Sequence, residues 1–193
     1  MFERNWKKEI FTVPNLLSLF RLLLIPVYTI IYLEASEAKH FIWAACILAL
    51  SCLTDWFDGK VARHFGQITT LGKVLDPLAD KATQFTLIFC LTVRYPVLKY
   101  LLILFAAKEC FQLIAGTFAL KKGKMLDGAL FAGKICTVVL FVSLILLILF
   151  PNLSELFVTS IVLLDGLFLL FSLLTYFTAY FGKANKLKTI FPN

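Results

Sequence analysis

Residues 55–80 read DWFDGKVARHFGQITTLGKVLDPLAD and join two apolar runs, at about 40–57 and 74–93. They carry four acids, Asp55, Asp58, Asp76 and Asp80. The first two are three residues apart and the last two four apart, so each pair shares one face if the flanking segments are helical. A tight connection between the segments would bring the pairs together. Carboxylates beside apolar spans are expensive, and such a cluster either takes up protons or binds cations. Between Asp55 and Asp80 the basic residues are Lys60, Arg63 and Lys73. Hard oxygen donors in this number suit Mg²⁺ or Mn²⁺, with room for two ions, and no plausible His or Cys set exists for zinc. Gly59, Ala62 and Gly72 let backbone approach a bulky polar ligand, and Arg63 can pair with a phosphate.

Outward from this stretch the chain is too apolar for water. Of 193 residues 60% are apolar, mean hydropathy is +0.87, and soluble domains hold about 45–50%. Further apolar runs lie at about 14–33, 97–120, 129–150 and 154–181. Backbone groups in hydrocarbon must be satisfied within a segment, and no run alternates as a barrel strand does. The expected fold is therefore all-α, a polytopic membrane protein of six transmembrane helices. Phe2, Trp6 and Ile10 at four-residue spacing predict an interfacial amphipathic helix ahead of them. One domain, 1–193, would comprise this helix (1–13), the bundle (14–181) and a basic cytoplasmic tail (182–193). Arg21 and Pro26 interrupt the first run and no small-residue cleavage site follows, which argues against a cleaved signal peptide.

Cys46, Cys52, Cys90, Cys110 and Cys136 all lie in apolar segments without metal-ligand spacing, and read as packing residues. The net charge of +7 comes from basic residues confined to span ends and connections, which points to anionic lipid headgroups and not to nucleic acid. With six helices, Arg4, Lys7, Lys8, Lys60, Arg63, Lys73, Lys121, Lys122, Lys124, Lys183, Lys186 and Lys188 fall on the side of the termini. Only Lys39, Arg94 and Lys99 fall opposite. Both termini are expected in the cytoplasm.

The 55–80 stretch fills every specified position of D-x2-D-G-x2-A-R-x8-G-x3-D-x3-D and so resembles the CDP-alcohol phosphatidyltransferases. The resemblance implies transfer of the phosphatidyl group of CDP-diacylglycerol to an alcohol with release of CMP. By motif position it makes Asp55, Asp58, Asp76 and Asp80 the ligands of two Mg²⁺ or Mn²⁺ ions. Asp80 doubles as general base, and Gly59, Ala62, Arg63 and Gly72 contact or shape the nucleotide pocket. It further implies a homodimer in a membrane, expected here to be the bacterial cell membrane.

The acceptor rests on other residues. LDPLADK at 75–81, PNLLSLFR at 14–21 with Asn15 and Arg21, Lys108-Glu109, and the Gly133-Lys134-x-x-Thr137 element are similar to the branch that makes phosphatidylglycerophosphate or cardiolipin. Lys108 stands where that branch commonly has Arg, a point charge replacing a planar fork. Glycerol 3-phosphate is the expected acceptor, with Arg21, Lys108 and Lys134 as candidates for its phosphate. The alternative for these cations is an ion pair, Lys108 with Glu109 for instance, or snorkelling. Phosphatidylglycerol as acceptor, giving cardiolipin, is the second reading within the class. A divalent-cation channel or transporter is the reading from outside it. Asp165, beside Gly166, is placed to hydrogen-bond across helices, without an assigned role.

Overall fold

The computed structural model describes residues 12–35, 39–51, 72–121, 124–126, 131–150, 152–181 and 187–189. Six helices occur among them: α1 (Val13–Leu33), α2 (Lys39–Ser51), α3 (Gly72–Arg94), α4 (Leu98–Lys121), α5 (Phe131–Leu149) and α6 (Glu155–Phe181). Two short strands, β1 (Lys124–Leu126) and β2 (Leu187–Thr189), pair antiparallel with Met125 opposite Lys188. The ladder was not anticipated, and it takes three residues out of the expected 182–193 tail. The interfacial helix expected at 1–13 lies outside the described residues except at its very end.

Four helices, α1, α4, α5 and α6, are long and apolar enough to cross a bilayer, which makes this a multi-pass membrane protein. The described part of α2 rises only about 20 Å at 1.5 Å per residue, against a hydrocarbon core of about 30 Å. In α3 length suffices but Lys73, Asp76, Asp80 and Lys81 crowd the first half. Of the six crossings expected, four correspond to helices among the described residues that are long and apolar enough to span. The outward faces fit a lipid solvent: Leu23 is 67% exposed, Leu113 69% and Leu156 80%.

The chain divides into two compact units, residues 1–93 and 94–193. In the first, α1 begins at Thr12, whose extended backbone precedes a proline in the first helical turn, where a missing N–H costs nothing. Pro26 sits within α1, and Thr29 Oγ1 donates back to the Ile25 carbonyl one turn earlier at 2.8 Å. Tyr28 stacks on Tyr32, and Tyr32 meets Phe41 of α2 edge-on with centroids 5.7 Å apart. Leu24, Tyr28, Leu48, Ser51, Thr83 and Leu87 surround a void of only about 10 Å³ where α1, α2 and α3 meet.

In the second unit α6 packs on both α4 and α5. Phe111 of α4 stacks on Phe177 at 6.0 Å and tilts against Phe181. Toward α5, Gly133 lies under Tyr176: a Cβ there would meet the phenol oxygen at 2.8 Å and Cε2 at 3.0 Å. Lipid supplies no hydrophobic drive between helices, so such close approaches carry much of the association. The buried Asp165 accepts a hydrogen bond from Ser143 Oγ at 2.9 Å, which answers the cross-helix expectation and links α5 to α6. At the far end of this hairpin, Arg94 Nη2 donates to Asn152 Oδ1 at 3.2 Å and Tyr95 Oη to the Phe150 carbonyl at 3.4 Å. These bonds tie the α3–α4 turn to the α5–α6 turn. Cys90 and Cys136 are buried packing residues as expected, whereas Cys46 and Cys110 are exposed.

Gly133→Ala is expected to destabilise the second unit by about 1–3 kcal/mol, the usual range for overpacking. Tyr176→Phe in that background removes the closest atom and should recover part of the loss. A double-mutant cycle of thermal unfolding in detergent micelles measures both.

Candidate functional site

The site is built on two facing helices of the first unit. Asp76 and Asp80 are one turn apart on α3, so their side chains leave the same face. On α1, Ser18 and Arg21 are separated by three residues and likewise share a face. The two faces meet: Ser18 Oγ donates to Asp76 Oδ1, and Arg21 Nη1 to Asp80 Oδ1. Ser18 and Arg21 are buried, at 0% and 2% exposure, while the Asp80 side chain remains 45% exposed. The anchors are thus sequestered and the carboxylate they hold can be reached.

Gly72 is the first residue of α3. Asp55, Asp58, Gly59, Ala62 and Arg63 lie outside the described residues, and with them half of the expected ligand set. No group of three potential ligands occurs among the described residues. Asp76 and Asp80 by themselves fit a hard divalent cation in donor type and spacing, and need further oxygen ligands to complete six-coordination.

The candidates for an acceptor phosphate fall in both units. Arg21 belongs to the first and pairs with Asp80 through Nη1. Lys108, in α4, is 2% exposed and donates from Nζ to Glu109 Oε1 at 2.7 Å, so the ion-pair alternative is realised for it. Lys134 is exposed in the first turn of α5. Ser18 was missed by sequence reasoning, although it falls midway between Asn15 and Arg21 at a constant spacing of three. A hydroxyl in an apolar run reads as a packing residue until the opposite helix is seen.

A profile described as CDP-alcohol phosphatidyltransferase matches residues 11–177, running through both units. A cardiolipin synthase (CMP-forming) of Streptomyces coelicolor is 33% identical over 131 residues, covering 67% of this chain and 61% of its own length. A CDP-diacylglycerol–glycerol-3-phosphate 3-phosphatidyltransferase of Wigglesworthia glossinidia brevipalpis is 47% identical over 70 residues, 36% of this chain and 37% of the relative. The protein of that name from Escherichia coli K12 is 39% identical over 85 residues, 44% and 46% of the two chains. In each case the match spans less than two thirds of the relative.

Buried Lys108 provides a test of ion pairing in the second unit. Glu109→Gln leaves its ammonium without that partner and is expected to lower stability by about 3–5 kcal/mol, the usual consequence of breaking a buried pair. Lys108→Met combined with Glu109→Gln should recover most of it. Thermal unfolding of the three variants in micelles decides.

Proposed function

We propose an activity for this chain from one premise: it belongs to the CDP-alcohol phosphatidyltransferase family. The reaction is transfer of the phosphatidyl group of CDP-diacylglycerol to glycerol 3-phosphate, giving phosphatidylglycerophosphate and CMP. The observation that carries it is the pair Asp76 and Asp80 on one reachable face of α3, inside a 55–80 stretch that matches the family pattern throughout. Relatives named for glycerol 3-phosphate, at 47% and 39% identity, favour that acceptor. The 33% identical cardiolipin synthase, matched over a longer stretch, supports phosphatidylglycerol as the second reading.

In the proposed mechanism the acceptor hydroxyl oxygen bonds to the phosphorus that bears diacylglycerol. The phosphoanhydride bond to CMP breaks, and the hydroxyl proton passes to Asp80 as general base. Two divalent ions, Mg²⁺ or Mn²⁺, held by Asp55, Asp58, Asp76 and Asp80, would neutralise the diphosphate and stabilise CMP as it leaves. Arg21 holds Asp80 from the buried side, which limits its rotamers and presents the carboxylate toward the open side. Gly59, Ala62, Arg63 and Gly72 admit and contact the nucleotide. Arg21, Lys108 and Lys134 are the acceptor-phosphate candidates in this reading.

Residues 1–193 act as one catalytic domain in this reading. Residues 1–13 form an interfacial helix, and six crossings place both termini in the cytoplasm of a bacterial cell membrane. The working form is a homodimer. Lipid donor enters sideways from the bilayer and the soluble acceptor from the cytoplasm.

Purified protein with CDP-diacylglycerol and Mg²⁺ should release CMP when glycerol 3-phosphate is supplied, and EDTA should abolish release. Release only with phosphatidylglycerol would replace the first acceptor by the second. Metal flux into liposomes that persists without any transferase activity would favour a cation transporter. Asp80→Asn should lower the rate by about 10²–10⁴-fold, the typical contribution of a general base, in protein that still folds although the charge paired with buried Arg21 is gone. A wild-type rate in that variant refutes the assignment.

A further inference from the structure

The geometry points to Ser18 as a positioning residue for the Asp76 carboxylate, acting beside Arg21 on Asp80 to set both side chains for cation binding. The inference rests on the proposed role of the aspartates and goes beyond it, because Ser18 belongs to neither the acid pattern nor the acceptor candidates.

Three observations carry it. Ser18 is fully buried, so its hydroxyl has no access to solvent and its orientation is dictated by protein. That hydroxyl donates to Asp76 Oδ1 from a residue 58 positions away in the chain. One turn along, Arg21 makes the equivalent contact with Asp80 from 59 positions away. Two contacts in parallel between α1 and α3 do what one cannot. A single pair would leave α3 able to rotate about its axis, whereas donors at Ser18 and Arg21 meeting acceptors at Asp76 and Asp80 fix rotation and axial offset together.

The chemical consequence follows from how cations are bound. A carboxylate on a helix has several rotamers, and each must be lost when it becomes a ligand, so a donor that holds one oxygen before the ion arrives lowers that loss. Groups that orient metal ligands in this way typically change affinity by about 10–100-fold when removed. Arg21 adds a positive charge that opposes a cation as well as an orienting contact. Ser18 orients without charge, so its removal reads positioning alone.

The experiment uses the full chain in detergent or nanodiscs, with Mn²⁺ as the probe and free Mn²⁺ followed by electron paramagnetic resonance. Ser18→Ala is expected to weaken Mn²⁺ binding by about 10–100-fold. The apparent metal constant for CMP release should rise in parallel, with the rate at saturating metal close to wild type. Ser18→Thr, which keeps the hydroxyl, should restore most of the affinity. Ser160→Ala, whose hydroxyl donates to its own helix at Leu156, serves as the control and should match wild type.

Unchanged Mn²⁺ affinity in Ser18→Ala overturns the positioning role while leaving the transferase reading in place. If Ser18→Ala also unfolds more easily, Ser18→Thr decides. Recovery of stability without recovery of affinity likewise overturns the role. A wild type that takes up no Mn²⁺ overturns the role together with the metal-site reading, so the two failures are told apart by the wild-type isotherm.

Discussion

Hydrocarbon offers no hydrogen bond to a polar side chain, so a charge placed within an apolar helix has to bring its partner from a neighbour. Much of this chain is arranged around that constraint. Arg21 is buried on α1 and answered by Asp80, Lys108 is buried on α4 and answered by Glu109, and Asp165 is held by Ser143. The first and third join two helices and restrict how they turn against one another, whereas the second lies within α4. The first is the most consequential, because it fastens α1 to the helix that carries two of the four acids.

That linkage separates two tasks. The apolar outer faces of the helices, from Leu23 on α1 to Leu156 on α6, meet lipid and set where the protein resides. The polar inner face of α1 meets α3 and sets how the acids are presented. Asp80 shows the balance, held from one side by a buried guanidinium and still substantially open on the other. A carboxylate fully enclosed would be inert, and one fully solvated would have to be ordered afresh by each ion.

The second unit follows a different logic. Close approach at Gly133 beneath Tyr176, phenylalanine stacking between α4 and α6, and the Ser143–Asp165 bond hold three apolar helices together without hydrophobic drive. Its polar turns are tied by Arg94 to Asn152 and by Tyr95 to the Phe150 carbonyl. The β1–β2 ladder adds a link between the segment after α4 and the C-terminal stretch. Its strands are three residues each, too short for a period-two pattern to stand out in the sequence, which is why the C-terminal segment read as an unpaired tail.

The sequence by itself determined the helices and the family. Spans expected at 14–33, 74–93, 97–120, 129–150 and 154–181 reappear within a few residues as α1, α3, α4, α5 and α6. An apolar segment has to satisfy its backbone internally, and that requirement is local. The acid pattern at 55–80 led to the family by residue type and spacing, which need no tertiary structure to read. Only the tertiary structure decided the partners: Arg21 with Asp80, Ser18 with Asp76, Ser143 with Asp165. Those depend on the rotation and axial offset of one helix against another. Side-chain packing summed over both helices sets these quantities, and no short stretch of either one contains them.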